Sequence, residues 1–309
     1  MRLALAPMQD VTDLAFMRTL HRIGSLPDVF ITAYFRSTAT TCALAEHNLR
    51  CIDENETGVP ILAQLAGSEA HALLRDAAML LARPGVAGIN LNAGCPSPLV
   101  NRHGAGAGLL RDLPRFADIL VQLRTALPAG QFSVKCRLGW EDASTEFPRI
   151  LECLHAAAPD EVGIHARTRK QLYGGTPDYS CVAQAVAELS CPVLANGDIN
   201  TAQQAAECLR LTGAAGLMLG RGAVRNPYLF RQLRGGSAPS QAEMRQYYRI
   251  LIEETGRVLL HTRTEKGHCN RMKKYLAFCY SDFTPEQEYQ LRRCTSVAEM
   301  EHILTHGED

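Results

Sequence analysis

The chain has 309 residues, of which 46% are hydrophobic and 21% are charged, and its formal net charge is zero. This length accommodates one large domain and a small one, and the neutral charge argues against a uniformly basic nucleic-acid binder while leaving room for a local basic patch. No apolar stretch approaches the roughly 18 residues that span a bilayer, and the eleven scattered cysteines fit neither a disulfide framework nor a zinc site, so we expect a cytoplasmic protein with no membrane segment and no metal.

Short apolar runs alternate with amphipathic segments before Phe230. The sequence predicts eight strands, at Leu3–Ala6, Val29–Thr32, Pro60–Gln64, Ala87–Asn92, Phe132–Arg137, Glu161–His165, Pro192–Ala195 and Ala215–Leu219. Helical spacing predicts connecting helices at Ser68–Leu81, Pro114–Leu127, Phe147–Ala158 and Thr201–Leu211, with Ser68 and Thr201 as N-caps. The alternation predicts a parallel sheet covered by helices, and eight repeats favour an α/β fold of the (β/α)8 TIM-barrel class.

The pattern changes after Phe230. The segment Arg234–Ser240 is rich in Gly and Ser and indicates a linker. Helical spacing without strand signals follows at Glu243–Leu260, Thr264–Tyr280 and Pro285–Arg293. The sequence therefore predicts a catalytic barrel over residues 1–234 and a small all-helical domain over residues 241–309.

Polar residues and glycines gather at or just beyond the C-terminal ends of the predicted strands. They are Pro7, Met8, Gln9, Gln64, Asn92, Lys135, Arg137, His165, Arg167, Asn196, Gly197, Asp198, Gly220, Arg221 and Gly222. In a barrel these strand ends form one face, and active sites are built there. We therefore expect one site that draws on most of the strands.

Cys95 is the strongest single candidate in that site. It follows a buried strand and stands between Gly94, which permits close approach of backbone or ligand, and Pro96, which fixes the turn. A free cysteine is often a buried small hydrophobe. This context instead favours a thiol presented to a ligand as a proton donor or nucleophile.

The last two strand ends predict a phosphate site. Asn196–Asp198 and Gly220–Gly222 offer backbone N–H groups near helix N-termini, and Arg221 adds a fork of donors. A phosphate at this place is typical of barrels that bind FMN or phosphorylated substrates. Gly104–Gly108 does not fit a dinucleotide fingerprint, so we interpret it as a flexible loop over the site.

Lys135 and His165 each allow two interpretations. Lys135 leaves an apolar strand, so it either pairs with a carboxylate or stabilises negative charge at the N1–O2 edge of a reduced flavin. His165 is either a hydrogen-bonded core residue or a ligand-binding group, and the nearby Arg167 and Arg169 favour anion binding.

These motifs together resemble the FMN-dependent tRNA dihydrouridine synthases over nearly the whole chain. The resemblance rests on Ala6-Pro7-Met8, Gln64, Asn92-x-Gly94-Cys95-Pro96-Ser97, Val134-Lys135-x-Arg137-x-Gly139, His165-x-Arg167-Thr168, Asn196-Gly197-Asp198-Ile199 and Gly220-Arg221-Gly222. Ala166 and Ala33 depart from the family pattern at positions that are not catalytic. Tyr34-Phe35-Arg36, Val100-Asn101 and Arg137-Leu138-Gly139-Trp140 look most like the bacterial class C enzymes, which modify uridine 16 of the tRNA D-loop.

The resemblance implies a flavoenzyme reaction in two halves. FMN would be held by Pro7, Met8, Gln9, Gln64, Lys135, His165, Asn196, Gly197, Asp198, Gly220 and Arg221. NADPH would reduce the FMN, and the reduced flavin would deliver hydride to C6 of uracil while Cys95 protonates C5. Asn92 would hold the uracil edge and Arg137 would stabilise charge on its carbonyls. The base must leave the folded tRNA to reach the flavin.

Basic residues of the C-terminal segment predict where tRNA docks. Arg257, Arg263, Lys266, Arg271, Lys273 and Lys274 lie close together in the sequence, followed by Tyr275 and Phe278. On a helix, Arg271, Lys274 and Phe278 share a face that suits phosphate contact and base stacking. We therefore expect tRNA to contact Arg36, Arg137, Arg271, Lys274, Phe278 and Arg292. The alternative for this region is an ordinary solvated helix face.

Two other functions remain open on the sequence alone. An FMN-dependent oxidoreductase for a small molecule, of the dihydroorotate or dihydropyrimidine type, explains the flavin residues but not the basic helical segment. A tRNA-binding protein without catalytic activity explains the basic segment but not Cys95 and Lys135. We expect the protein to be a monomer.

Overall fold

A computed structural model describes residues 1–40, 44–259 and 264–306 of the chain. Nine parallel strands form one sheet: β1 (Arg2–Leu5), β2 (Val29–Ile31), β3 (Phe35–Arg36), β4 (Ile61–Ala66), β5 (Val86–Ala93), β6 (Phe132–Arg137), β7 (Glu161–His165), β8 (Val193–Asn196) and β9 (Gly216–Leu219). Pairing of β1 with both β2 and β9, and of β2 with β4, closes eight of them into a barrel. The short β3 adds to the end of β4. The predicted barrel is confirmed.

All eight predicted strands are present, and their ends differ from the prediction by two residues at most. The apolar runs locate the strands because apolar residues of the strands are buried on both faces of the sheet. Inside the barrel, Gly163 leaves the space that Met218 fills, since a Cβ at Gly163 would lie 2.4 Å from the Met218 Cε atom. The interior is therefore a packed core beneath the polar strand ends.

The register of the ladder aligns the polar residues of neighbouring strands. Asn92 of β5 pairs with Lys135 of β6, and His165 of β7 pairs with Arg137 on one side and with Asn196 on the other. Because paired residues of parallel strands lie at one level, these five side chains are brought to the same end of the barrel.

Helices connect the strands and cover the barrel. They are α1 (Leu14–Arg22), α2 (Glu46–Asp53), α3 (Ala70–Leu81), α4 (Pro98–Asn101), α5 (Leu113–Ala126), α6 (Ala143–Ala157), α7 (Tyr179–Glu188), α8 (Ala202–Thr212), α9 (Arg221–Arg225) and α10 (Leu229–Leu233), with a 3-10 helix at Gly106–Arg111. The hydroxyl of Thr201 caps α8 by accepting from the Gln204 N–H, as predicted. Ser68 does not cap α3, which begins after Glu69.

Four further helices complete the described chain. They are α11 (Gln241–Val258), α12 (Glu265–Leu276), α13 (Pro285–Arg293) and α14 (Val297–His306), with a 3-10 turn at Tyr280–Asp282. The predicted helix at 264–280 is shorter than expected, and α14 was not predicted. The division into domains at residues 234–241 stays a prediction. No helix of the described residues is both long enough and apolar enough to cross a membrane.

The C-terminal helices are attached to the first helix of the barrel. Arg22 of α1 forms ion pairs with Glu253 and the buried Glu254 of α11. Ahead of α1, the Asp13 carboxylate caps the helix at the Phe16 N–H and also contacts Arg271 of α12. These contacts place the C-terminal helices beside the loop that follows β1.

Candidate active site

The C-terminal strand ends surround a cavity of about 470 Å³. This volume lies in the range of cavities that hold small-molecule ligands and cofactors. Its lining includes every residue predicted to hold the cofactor, namely Pro7, Met8, Gln9, Gln64, Lys135, His165, Asn196, Gly197, Asp198, Gly220 and Arg221. Cys95, Asn92, Arg137 and Phe278 line the same cavity. Their individual roles stay predictions.

Lys135 reaches this cavity without a partner. Its ammonium makes no hydrogen bond or ion pair with a described residue, so the salt bridge that the sequence left open is absent from this part of the chain. Burial and, to a smaller extent, the charge of Arg137 lower the pKa of Lys135 to about 8. A buried ammonium without a counterion favours an anionic ligand, because the ligand supplies the missing charge.

His165 is a second unpartnered group in the lining. Its Nε2 atom is buried and has no hydrogen-bond partner. Burial and the surrounding charges of Arg137, Lys135, Arg167 and Arg221 lower the pKa of His165 far below its usual value. The imidazole is therefore neutral near pH 7. An orphaned ring nitrogen beside an unpaired ammonium fits a ligand that carries both polar atoms and negative charge.

A chain of side-chain amides crosses the floor of the site. Asn90 donates to the Ser133 hydroxyl over 2.8 Å, Gln64 donates to Asn90 over 2.7 Å, and Asn92 donates to Gln64 over 2.8 Å. The Asn92 oxygen accepts the N–H groups of Gly94 and Cys95 over 3.0 and 2.9 Å. This corrects the expectation for Asn92: its oxygen caps the Cys95 loop and only its remaining amide hydrogen is left for a uracil.

The Cys95 loop is held from behind by the segment that follows it. The Cys95 carbonyl accepts the Asn101 side-chain amide over 2.8 Å and the Ala107 N–H over 3.1 Å. Gly106 adopts a φ of +61°, and a Cβ there would lie 3.1 Å from the Cys95 Cβ atom. Residues 106–110 are buried. Gly104–Gly108 is thus a packed support under the thiol, and the interpretation as a flexible loop over the site is wrong.

The thiol of Cys95 faces the cavity from this fixed loop. Burial raises its pKa, although a hydrogen bond from the Ser97 backbone and the charges of Lys135 and Arg137 act in the opposite direction. Cys95 therefore carries its proton near neutral pH. A protonated thiol suits the role of proton donor better than that of nucleophile.

Arg137 holds the loops around the site together. The side chain is 1% exposed, and its Nε donates to the Gly94 carbonyl while Nη1 donates to the Thr168 and Leu172 carbonyls. Burial lowers its pKa to about 10. Three of its hydrogen bonds therefore go to backbone carbonyls, and its role toward the substrate carbonyls stays a prediction. Only its Nη2 lacks a hydrogen bond to a described residue.

The predicted phosphate site is organised by Asp198. Its carboxylate accepts from the buried Arg167 and, over 2.7 Å, from Arg221. Part of the Arg221 fork is therefore taken by Asp198. Gly222 permits close packing of the two turns, since a Cβ there would lie 1.9 Å from the Ile199 carbonyl oxygen. The Ala223 N–H donates to the Gly220 carbonyl over 2.9 Å, so the first-turn amides of α9 that remain for an anion are those of Arg221 and Gly222.

Tyr173 is a site residue that the sequence reasoning missed. Its ring is 55% exposed and lines the cavity, with the guanidinium of Arg221 4.7 Å and that of Arg137 5.6 Å from its centroid. Leu172 before it adopts a φ of +54°, and Arg167 binds the carbonyls of the two glycines after it. An exposed aromatic residue beside two glycines, shortly after the His165 motif, was the available signal.

Of the residues predicted to contact tRNA, the cavity lining includes Asn92, Arg137 and Phe278 but not Arg36, Arg271, Lys274 or Arg292. Phe278 reaches the cavity, and Arg36 is exposed without a carboxylate partner. Arg271 is bound to Asp13, Lys274 lies 2.9 Å from Asp10, and Arg292 lies 2.7 Å from Glu288. That Arg271 and Lys274 contact tRNA stays a prediction, and in the ligand-free protein both side chains already pair with acids near the start of the chain. Arg263 lies outside the described residues.

Within the ranges that the structure describes, no three His, Cys, Asp or Glu side chains form a group suited to a metal ion.

Comparisons with known proteins identify the family of the chain. Residues 4–306 match the family model described as Dihydrouridine synthase (Dus). The chain is 32% identical to a probable tRNA-dihydrouridine synthase of Rhizobium leguminosarum bv. phaseoli, over 86% of this chain and 84% of that protein. It is 31% identical to a tRNA-dihydrouridine(16) synthase of Cupriavidus necator, over 98% of this chain and 96% of that protein.

A likeness to solved structures concerns the fold. The old yellow enzyme homologue from Zymomonas mobilis superposes with a TM-score of 0.54 at 13% identity, over 78% of this chain and 90% of that chain. At this identity only the barrel architecture is shared.

Proposed function

The chain belongs to the dihydrouridine synthase family, and we propose that it reduces the C5=C6 bond of a uridine in the D-loop of tRNA, at position 16. As a member of this family it is a flavin-dependent oxidoreductase of the TIM-barrel class. The observation that carries the proposal is the cavity in which a protonated Cys95, an unpaired Lys135 and an orphaned His165 nitrogen face one space.

The lining residues fit FMN as the flavin. Lys135 supplies a positive charge and His165 an unsatisfied ring nitrogen for polar atoms of the ring system. Arg221, with the first-turn amides of α9, suits the single phosphate. When bound, the flavin supplies a hydride to carbon, with NADPH as the proposed source of electrons.

Cys95 gives its Sγ proton to C5 of the uracil. Since burial raises its pKa, the thiol is loaded with this proton near pH 7. Asn92 accepts the Cys95 N–H and Asn101 donates to the Cys95 carbonyl, so the sulfur is fixed before the base arrives. Fixed placement of the donor is what makes general-acid catalysis efficient.

Tyr173 offers the entering base an aromatic surface at the mouth of the cavity. Its backbone is fixed by Arg137 and Arg167, so stacking does not require ordering of the loop. A base that has left its stack in the tRNA gains a new stacking partner in this way. We propose that this compensates part of the cost of extruding the uridine.

The proposal of position 16 rests on the relative from Cupriavidus necator, which matches this chain over almost the whole length of both proteins. It also rests on the likeness of Tyr34–Arg36 and Arg137–Trp140 to the class C enzymes. We further propose that the protein acts as a cytoplasmic monomer.

The proposal is tested with the purified protein, FMN, NADPH and an unmodified tRNA transcript. We expect dihydrouridine at position 16 when the product is mapped. Dihydrouridine at position 17 or 20 would overturn the position but keep the activity. Turnover of dihydroorotate or of a dihydropyrimidine, with no change in the tRNA, would support the small-molecule alternative. Binding of tRNA without turnover would support an inactive binding protein.

A further inference from the structure

Four arginines without carboxylate partners lie beside the segment that follows Cys95 in the chain. They are Arg36, Arg102, Arg111 and Arg169, and none of them forms an ion pair with a residue that the structure describes. In contrast, Arg271, Lys274 and Arg292 are all paired with acids. We call the four arginines, together with His103 and Trp140, the Cys95 rim. Neighbouring positive charges repel one another, so the rim favours an anionic partner from outside.

One half of the rim lies beside α4. The Arg102 Nε donates to the His103 ring nitrogen Nε2 over 2.9 Å. Partial desolvation and the charges of Arg36 and Arg102 lower the pKa of His103. Arg36 belongs to the same cluster because it lines one depression with Leu99 and Val100 of α4, and the cluster exposes two guanidinium groups beside the His103 imidazole.

The other half of the rim surrounds Trp140. The guanidinium carbons of Arg111 and Arg169 lie 4.9 and 4.6 Å from the centroid of the indole ring. The Arg169 N–H donates to the Gly139 carbonyl over 2.8 Å, which fixes Arg169 beside the ring. Contact with an aromatic face stabilises a guanidinium but does not neutralise it. Both charges thus remain available to an anion.

Asn101 joins the two halves to the catalytic loop. Its oxygen lies 3.3 Å from the Arg169 Nε, and its amide nitrogen donates to the Cys95 carbonyl over 2.8 Å. Because Arg102 follows Asn101 in the chain, the rim is continuous along the loop that presents the thiol. Tyr34 lines both the cavity and the depression that contains Arg36, so an anionic strand bound at Arg36 would lie next to the cavity.

We propose that the Cys95 rim binds backbone phosphates of the RNA strand that flanks the uridine entering the cavity. The inference rests on the proposed function, and it adds a docking surface to the helical face of Arg271 and Lys274 that the sequence predicts. Arginine suits this partner because its planar fork binds phosphate oxygens in pairs. Phosphate contacts position a nucleic acid without reading its bases, and the cavity then selects the uridine.

The shape of the rim favours an extended strand over a single nucleotide. The depression beside Arg36, lined also by Tyr34, Leu99 and Val100, has a volume of about 30 Å³. This is far below the roughly 300 Å³ at which small-molecule cavities begin. Arg36, Arg102 and Arg111 are exposed and Arg169 is half-buried, and several separate guanidinium groups suit successive phosphates of a strand better than one phosphate.

The test compares Arg36→Ala, Arg102→Ala and Arg111→Ala, singly and combined, with Arg149→Ala. Arg149 is a matched control because it is exposed and has no carboxylate partner in the described chain, but lies on the outer helix α6. Affinity of the flavin-loaded protein for an unmodified tRNA transcript is measured by fluorescence anisotropy at several KCl concentrations. Each rim variant should weaken binding about tenfold and lower the salt slope by about one, and Arg149→Ala should do neither.

The outcomes separate the rim from the proposed function. If the wild-type protein binds tRNA and the triple variant binds it equally well, the rim inference is overturned while the function stands. If the wild-type protein binds no tRNA, the proposed function itself fails. A raised KM for NADPH in flavin reduction, with unchanged tRNA affinity, would assign the rim to the dinucleotide and overturn the proposal. Unchanged flavin content confirms that the variants are folded.

Discussion

The side-chain amide of Asn101 donates to the carbonyl oxygen of Cys95 over 2.8 Å, from the far side of the loop that presents the thiol. The same amide donates to the Ala105 carbonyl over 3.0 Å. One buried side chain thus sets the distance between the Cys95 loop and the 3-10 helix behind it. This makes Asn101 a positioning residue for the proton donor.

Replacing Asn101 with Ala should slow the reduction of uridine by about 10- to 100-fold, because a donor displaced by about 1 Å loses its alignment. Reduction of the flavin by NADPH should be unchanged. The two half-reactions are measured separately by single-turnover kinetics. Asn101→Asp, which has the same shape but cannot donate to the carbonyls, should be equally impaired, while Gln122→Ala on the exposed face of α5 serves as the control. Equal losses in both half-reactions would point to general damage instead.

Cys95→Ala should abolish dihydrouridine formation almost completely and leave flavin reduction intact, since only the protonation of C5 needs the thiol. The measurement is the rate of tRNA modification beside the rate of flavin bleaching by NADPH. Cys51→Ala is a suitable control because Cys51 is a buried cysteine outside the cavity. Wild-type modification by the Cys95 variant would contradict the assigned role.

Lys135 should make flavin affinity depend on pH. Its pKa in the ligand-free protein is about 8, so the side chain is charged below this pH and neutral above it. An anionic ligand prefers the charged form, and its affinity should therefore fall as pH rises above 8, by up to about tenfold per pH unit. Titration of the ligand-free protein with FMN between about pH 6.5 and 9.5 measures this. Lys135→Met should bind more weakly with a flat profile, and a flat profile for the wild type would contradict the prediction.

The lowered pKa of Lys135 also determines whether the stability of the ligand-free protein rises or falls with pH. Burial lowers the pKa of Lys135 from its model-compound value of 10.5 to about 8, so between these pH values the unfolded chain binds the proton and the folded chain does not. Stability should therefore rise with pH across this window relative to Lys135→Met. Urea unfolding of both proteins at pH 7 and 9.5 tests the difference. An equal response of the two proteins would contradict it.

Tyr173→Ala should weaken tRNA binding and raise the KM for tRNA, since stacking of one base on an aromatic ring is worth about 1–3 kcal/mol. Tyr173→Phe should retain most of the affinity because the ring, rather than the hydroxyl, makes the contact. Tyr289 is a matched control: its ring is 54% exposed, close to the 55% of Tyr173, but lies on α13 outside the cavity. The prediction fails if Tyr289→Ala and Tyr173→Ala have the same effect on KM.

Arg271→Met should destabilise the fold by about 1.5–3 kcal/mol, because the half-buried Asp13 carboxylate loses its charged partner and keeps only the Phe16 N–H and the Tyr275 hydroxyl. Arg292→Met removes an exposed pair with Glu288 and should cost no more than about 1 kcal/mol. Urea unfolding of the two variants measures the difference. A stable Arg271→Met protein with lost tRNA affinity would support Arg271 as part of the docking surface.

The sequence by itself determined the barrel and the composition of its catalytic face. The eight strands could be located because apolar runs and helical spacing are local signals, and a strand end can be read without knowing its neighbours. Parallel closure then brings every strand end to one face, which is why Lys135, His165 and Cys95 could be assigned to one cavity in advance.

Only the tertiary structure decided which charges are free. Arg271 and Asp13 are 258 positions apart, and no sequence pattern reveals that α12 lies against the loop before α1. The same holds for the exposed ring of Tyr173, which depends on carbonyl contacts from Arg137 and Arg167. Partners of this kind are chosen by how elements pack, because a long side chain pairs with whichever acid the packing brings within a few ångströms. The same packing therefore decides that the arginines of the Cys95 rim have no acid beside them in the described chain.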